Sequence, residues 1–373
     1  MPVLVFHREH RTDKKRLINA RGPFSPLGVS RSPATVATAV ASSLLDFADV
    51  SALQDEANET LKGFSGSEAG TVVHCAAAGI TLAVASVMTG SDPIRISALP
   101  DTTGFRDRVV LPACHAVNYG HPIEQAIRLS GATPILVGDE KGCPTSRIVE
   151  AIQNTDTSCL FLVESRLATG TSVDLREAIE AAHEYNIPVV VDGAAQFFRV
   201  REIINMGADI LIVSAQKYLA APTAGLIFGR SDLVDGVRAQ EKGIGRGMKA
   251  TKECLSGVLE AIRQWDRRDE TSWAYSQAEK VSHFNYRLNH LDGVTSINEP
   301  DPTNAPFSRS CLKIDAGKSG LTAVEIVSAL RNGSPPIWVM DHRVSEQEII
   351  LELIPLDQKE VDIVVARIVQ LLS

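Results

Sequence analysis

The chain has 373 residues, of which 44% are hydrophobic, 22% charged and 5% aromatic, a composition that excludes a disordered tail, a collagen and a disulfide-stapled mini-domain. Lys and Arg number 37 against 45 Asp and Glu, a net charge of -8 with no long basic run, so neither a nucleic-acid backbone nor an anionic membrane surface is expected as primary partner. The length suits roughly two domains of about 100–200 residues each.

Residues 1–16 carry their charges after a very short apolar run, the wrong order for a secretory signal. The stretch from Ala69 to Met88 holds twenty residues with no acid or base except His74, about the length of a membrane span, but it is built of Ala, Gly, Ser, Thr and Val. A strand at Thr71–His74 running into a buried small-residue helix from about Ala76 fits better. Further strands are predicted at Arg108–Leu111, Thr133–Val137, Cys159–Val163, Ile187–Val191, Asp209–Val213 and Gly225–Phe228, short apolar runs bounded by Gly, Pro or Asp. Pro122–Ser130 and Asp174–Tyr185 read as helices between them. Alternation of this kind predicts a doubly wound α/β layer with mainly parallel strands.

After Gly229 charged helices are expected at Asp232–Lys242, Thr251–Arg268 and Glu270–Leu291. A loop at Asn298–Pro306 follows, then a strand–helix–strand pattern through Ile314, Val324–Arg331 and Ile349–Ile354, and a final amphipathic helix at Gln358–Leu372. The expected organisation is an N-terminal segment over 1–65, a large domain over 66–240, and a linker helix with a small C-terminal α/β domain over 241–373. The six cysteines (Cys75, Cys114, Cys143, Cys159, Cys254, Cys311) have neither CxxC nor Cys/His ligand spacing, so no metal site is predicted and reduced thiols in a cytoplasm are the simpler reading.

Chemistry concentrates at two strand ends. Asp192 closes the apolar run Val189–Val191; alone it reads equally as a helix cap. Lys217 follows the Asp209–Val213 strand and precedes apolar Leu219–Pro222; alone it reads as a surface lysine, but a desolvated one would favour the neutral amine of Schiff-base chemistry. Together the two residues match the needs of pyridoxal 5'-phosphate (PLP): a lysine for the aldehyde and a carboxylate that keeps the pyridinium protonated. The junction at Cys75 and Ala76 offers helix N-terminal N–H groups to a phosphate. His115 is either a ring stacked on the cofactor or a core-satisfied histidine. Ser214 and Gln216 flank the lysine as phosphate donors, with Thr223 and Gly225 as further donors, across a subunit interface in one reading.

These residues carry a resemblance. Asp192, Ser-Ala-Gln-Lys at 214–217 and Ala-Pro-Thr-Ala-Gly-Leu-Ile at 221–227 resemble the fold-type-I PLP enzymes, aminotransferase class V-like, and the order His115, Asp192, Ser214, Lys217 is similar to the cysteine-desulfurase-like branch. Residues 17–22, 67–70, 75–80, 115–120 and 243–249 are similar to the selenocysteine-synthase-like group and, within it, to D-glucosaminate-6-phosphate ammonia-lyases. The resemblance implies a fold-type-I PLP-dependent transferase fold with a mainly parallel sheet between helices. It implies Lys217 as the cofactor-bearing lysine, Asp192 as its pyridinium partner, His115 as the stacking residue and a homodimer or higher homo-oligomer. It also implies substrate contacts from Asn19, Arg21, Arg246 and Lys249.

Three departures shape the expectation. The likeness begins near Leu17, without the N-terminal tRNA-binding region of selenocysteine synthases, which with the acidic charge argues against tRNA. Glu164-Ser165-Arg166-Leu167 stands where the ammonia-lyase relatives tend to have a basic Lys-Ser-His-His-like run. The Asp192 turn carries Gly193 and Gln196 where an all-alanine turn ending in an acid is more usual, a departure expected to alter contacts to the cofactor's phenolic oxygen. The expected activity is α,β-elimination of water and ammonia from a hydroxylated amino acid or amino-sugar acid, D-configured or phosphorylated forms included. Epimerisation, retro-aldol cleavage and β-replacement would use the same residues, and a non-catalytic PLP-fold protein is the alternative outside enzymes. A nicotinamide dehydrogenase is disfavoured because no Gly-rich fingerprint follows the first strand.

Overall fold

The structure is a computed structural model that describes residues 16–171 and 173–373; the reading of residues 1–15 lies outside the described residues. The chain divides into two compact units, one formed by residues up to Arg31 together with Arg267–Ser373, the other by Ser32–Asp266. Positions 65/66 and 240/241, where the sequence suggested boundaries, both lie inside the larger unit.

The smaller unit opens with β1 (Ile18–Asn19). The larger unit then begins with α1 (Ala34–Leu45) and α2 (Val50–Ser65), the latter started by Asp49, whose carboxylate accepts the N–H groups of Ser51 and Ala52. Seven strands follow: β2 (Ala69–Val73), β3 (Arg108–Pro112), β4 (Thr133–Val137), β5 (Thr157–Val163), β6 (Val189–Asp192), β7 (Ile210–Ser214) and β8 (Gly225–Gly229). They form one sheet in the order β2-β8-β7-β6-β5-β3-β4. Neighbours from β7 through β4 are parallel, whereas β8 runs antiparallel to both β2 and β7. Strands β2, β5, β6, β7 and β8 are buried at every position, which is why they read as unbroken apolar runs rather than as alternation.

Helix α3 (Ala76–Thr89) explains the uncharged stretch. It is 14 residues long and buried almost throughout from Ala78 onward, and among the described residues no helix is long and apolar enough to cross a membrane. Small residues let it lie close to its neighbours: a Cβ on Gly79 would sit 2.9 Å from Ile227 Cδ1 and 3.0 Å from Ile212 Cγ2. Its hydroxyls are satisfied locally, Thr81 Oγ1 donating to the Ala126 carbonyl at 2.8 Å and Ser86 Oγ to that of Leu233 at 2.6 Å.

The smaller unit holds an antiparallel sheet in the order β12-β10-β9, from β9 (Val294–Pro300), β10 (Ser308–Ile314) and β12 (Glu348–Leu351), while β11 (Ile337–Trp338) pairs in parallel with β1. Strand β9 takes part of what the sequence suggested as a loop from Asn298. It is an edge strand whose outward residues Thr295, Ile297 and Asn298 are exposed, so its apolar signal is weak.

Candidate active site

Every parallel strand of the larger sheet delivers its C-terminal end to one edge, and β2 does the same because two antiparallel pairings return it to the direction of β7. That edge is where ligands bind in open α/β sheets. Asp192 is the last residue of β6, paired in register with Val163 of β5 and Ile212 of β7. Its carbonyl accepts Glu164 N–H at 2.9 Å, and its Oδ1 accepts Ala194 N–H at 3.0 Å. The carboxyl is buried, and burial pushes its pKa up to about 6 against the opposing pull of Lys217 and the Ala194 N–H.

Lys217 lies in the connection from β7 to β8. The loop is braced at both ends: Ala215 N–H donates to Ala224 O at 3.0 Å, and Ala221 N–H to Ala215 O at 3.1 Å. Between them Ala220 adopts a left-handed conformation with φ +54°. Thr223 Oγ1 donates to Gln216 Oε1 at 3.0 Å, and the Cys254 thiol donates to the Thr223 carbonyl. Tyr218 accepts a 2.8 Å hydrogen bond from Arg166 and packs beside Phe198, which in turn meets Trp265. The lysine is therefore held by its backbone rather than by its own side chain. Desolvation lowers its pKa, opposed by the Asp192 carboxylate and aided by the Arg166 charge, and so favours the neutral amine.

His115 ends the turn after β3 and is buried. Its Nδ1 accepts the N–H of Val163, the residue paired with Asp192, at 3.1 Å; since an N–H can only donate, the ring proton resides on Nε2. Burial depresses its pKa to about 4, so the ring is neutral at physiological pH. At the N-terminus of α3, Cys75 is the cap residue, its Sγ accepting Ala78 N–H at 3.4 Å, and the first-turn N–H groups of Ala76 and Ala77 point out of the helix toward the sheet edge.

The backbone must come close here. Gly225 pairs with both Val73 and Ser214, and a Cβ on it would lie 2.6 Å from the Cys75 carbonyl oxygen. Gly225→Ala is therefore expected to destabilise the protein by about 1–3 kcal/mol and to weaken phosphate binding at the α3 terminus, measured by thermal melting and cofactor titration. Gly247→Ala, where a Cβ meets nothing within 4 Å, is the control and leaves the melting temperature unchanged.

The turn at Ile244–Gly247 brings the basic pair to the same edge. His74 N–H donates to Met248 O at 2.8 Å and Lys249 bridges to Val73, so Lys249 is half-buried beside the end of β2 while Arg246 is exposed. Asn19 and Arg21 lie in the smaller unit. The Asn19 side chain bonds Gly22 O and Arg21 N–H, and Arg21 pairs with Asp341 at 2.7 Å and lies over the Phe24 ring.

Two departures meet one another. The Glu164 carboxylate pairs with Arg199 at 2.6 Å, and its carbonyl accepts Gln196 Nε2 at 3.4 Å, leaving the buried Gln196 Oε1 without a hydrogen-bond partner among the described residues. Sequence reasoning passed over Tyr119, although it lies in the His115–Gly120 stretch; its hydroxyl is buried and likewise has no partner among the described residues.

Comparison with known proteins settles the family. The aminotransferase class-V model matches residues 103–259. A 5'-C-glycyluridine monooxygenase-decarboxylase from Streptomyces sp is 32% identical over 88% of this chain and 82% of its own. The chain belongs to the aminotransferase class-V family. Within the family it is also 28% identical to a D-glucosaminate-6-phosphate ammonia lyase of Salmonella typhimurium, over 95% of both chains. A solved D-glucosaminate-6-phosphate ammonia-lyase structure matches with a TM-score of 0.85 at 29% identity, covering 96% of each chain. The fold-type-I architecture and the ammonia-lyase resemblance read from the sequence are thus found, and the family's cofactor is PLP.

The residues present fit that cofactor. A phosphate has helix N–H donors at Ala76 and Ala77, a pyridinium has the buried Asp192, an aldehyde has Lys217, and the neutral His115 ring lies between strand ends β3 and β5. Tyr119 Oη and Gln196 Oε1, buried polar atoms without hydrogen-bond partners among the described residues, lie on loops at the same edge.

Proposed function

We propose that the protein is a PLP-dependent lyase that eliminates water and then ammonia from a β-hydroxylated amino acid or amino-sugar acid, phosphorylated and D-configured substrates included. The observation that carries this reading is the pairing of a desolvated Lys217 with a buried Asp192 at the sheet edge. The likeness to an ammonia-lyase over nearly the whole chain supports it.

PLP supplies an electron sink for negative charge that develops at the substrate α-carbon. Lys217 Nζ, neutral once released, takes the α-proton; its lowered pKa suits it to the task. Asp192 would hold the pyridinium nitrogen of PLP, whose positive charge would offset the upward push that burial exerts on the carboxyl. His115 donates only through Nε2 and holds the ring in place without titrating at neutral pH. Ser214, Gln216 and Thr223 surround the lysine loop, and Cys75, Ala76 and Gln196 complete the cofactor contacts. Arg246 and Lys249 bind an acid group of the substrate. In net terms R–CHOH–CH(NH3+)–COO− becomes R–CH2–CO–COO− and ammonium, the water expelled in elimination returning in hydrolysis.

A second reading rests on the 32% identical relative, whose name specifies oxidative decarboxylation. Incubation with hydroxylated D- and L-amino acids and amino-sugar acids separates the two. Ammonia and 2-keto acid in equal amounts, without oxygen consumption, are expected; oxygen uptake with carbon dioxide release would overturn elimination. Aldehyde formation or inverted stereochemistry alone would point to retro-aldol or epimerase chemistry.

The net charge of -8 supports a small-molecule substrate rather than a nucleic acid, and the chemistry and free thiols support a cytoplasmic setting. A homodimer or a multiple of one is proposed. The exposed Leu44, Leu45 and Phe47 at the junction of α1 and α2 support a covered face there.

A further inference from the structure

The Tyr119 hydroxyl is buried with no hydrogen-bond partner among the described residues, an arrangement that costs about 1–3 kcal/mol where nothing compensates it. The ring does not drift into this position. It sits on the turn after β3, closed by Ile123 N–H donating to Val117 O at 3.0 Å and by Asn118 Oδ1 accepting Gly120 N–H at 3.0 Å. His121 meets the ring edge-on at a centroid distance of 4.6 Å.

Tyr119 packs on the margin of the same apolar cluster as Ala76, the first residue of α3, and Met248, whose carbonyl accepts His74 N–H. Burial raises the phenol's pKa, and the nearby acidic groups Asp192 and Cys75 raise it further, so at any physiological pH the hydroxyl is a neutral donor. Asp192 Oδ1 already accepts Ala194 N–H, and on the cofactor reading the carboxylate would hold the pyridinium nitrogen. An anion at the α3 terminus, by contrast, brings more acceptor sites than the first-turn N–H groups fill.

We propose that Tyr119 is a cofactor-binding residue whose hydroxyl donates a hydrogen bond to a phosphate oxygen of PLP seated at the α3 N-terminus. The inference rests on the cofactor reading and adds a ligand to it. The hydroxyl contributes to affinity for the phosphate-bearing cofactor and not to recognition of its ring.

Tyr119→Phe keeps the ring and removes only the donor. Cofactor-stripped wild type and Y119F are titrated with PLP and with phosphate-free pyridoxal, following intrinsic fluorescence, and their melting temperatures are compared. The expected result is an approximately tenfold rise in Kd for PLP, with Kd for pyridoxal unchanged and the cofactor-free melting temperature equal or higher. An equal rise for both compounds, no change for either, or a lower cofactor-free melting temperature would overturn the proposal. Wild type that binds neither compound would instead overturn the cofactor reading itself.

Discussion

Lys217→Ala is expected to abolish the visible absorption of lysine-bound PLP and to lower turnover at least about 10³-fold, since one residue both carries the cofactor and moves the α-proton. The fold should survive, because the 215–224 loop is closed by backbone hydrogen bonds and by Thr223 on Gln216, none of which uses the lysine ammonium. Spectra before and after borohydride treatment, with mass analysis of the trapped adduct, check the assignment. Full turnover with an intact visible band in the variant would remove Lys217 from the mechanism. The variant should also raise the Asp192 pKa, because the lysine charge is what opposes the upward push of burial.

The second large effect is expected at Asp192. Asp192→Asn removes one partner of a buried charged pair, and with about 3–5 kcal/mol at stake turnover should fall roughly 10²- to 10⁴-fold while Lys217 still captures PLP. The same substitution has a pH signature in the cofactor-free protein. The folded-state pKa is raised to about 6 from 3.8, so between those values the folded chain holds a proton that the unfolded chain has lost. Stability therefore falls as pH rises through that window, and Asp192→Asn flattens the slope. Chemical denaturation at pH 4, 5, 6 and 7 reads this directly; an unchanged slope in the variant would show that another group titrates there.

The parts legible in the sequence are those that burial forces into a single residue class. Strands β5 and β7 could be placed to within about two residues because both faces are covered and mostly apolar side chains are tolerated. Asp192 and Lys217 stood out because each interrupts such a run at its end. Helix α2 escaped notice because its buried stripe, Gln54, Ala57, Leu61 and Ser65, is half polar: Gln54 donates to Val72 O and accepts from Thr71, satisfying the sheet edge beside it. Helix α6, at Thr145–Asn154, after α4 (Pro93–Ala98) and α5 (Ile123–Arg128) in the chain, buries only Ile148 and Ile152, an apolar stripe too short to stand out. Tyr119 did not stand out because its significance lies in a hydrogen bond it does not make among the described residues, which only the folded chain shows. Asn19 and Arg21 carried a motif likeness; within the smaller unit Asn19 bonds the Gly22 carbonyl and Arg21 N–H, and Arg21 pairs with Asp341.

The close packing of α3 has a consequence for how such a protein diversifies. Gly79 rests on Ile212 and Ile227, Ser86 is tied to Leu233, and a Cβ on Gly236 would collide with Ser86 Oγ, so the helix has no direction in which to retreat. It acts as a depth stop: the distance from its first turn to the Lys217 loop is set by main chain and small side chains rather than by adjustable long ones. The loops at 164–167 and 243–249 carry the charged residues and bear no such constraint on size at Arg246 or Gly247. Relatives at 28–32% identity that are named for different reactions are what such a division allows, with the cofactor's position held constant while the substrate side is rewritten.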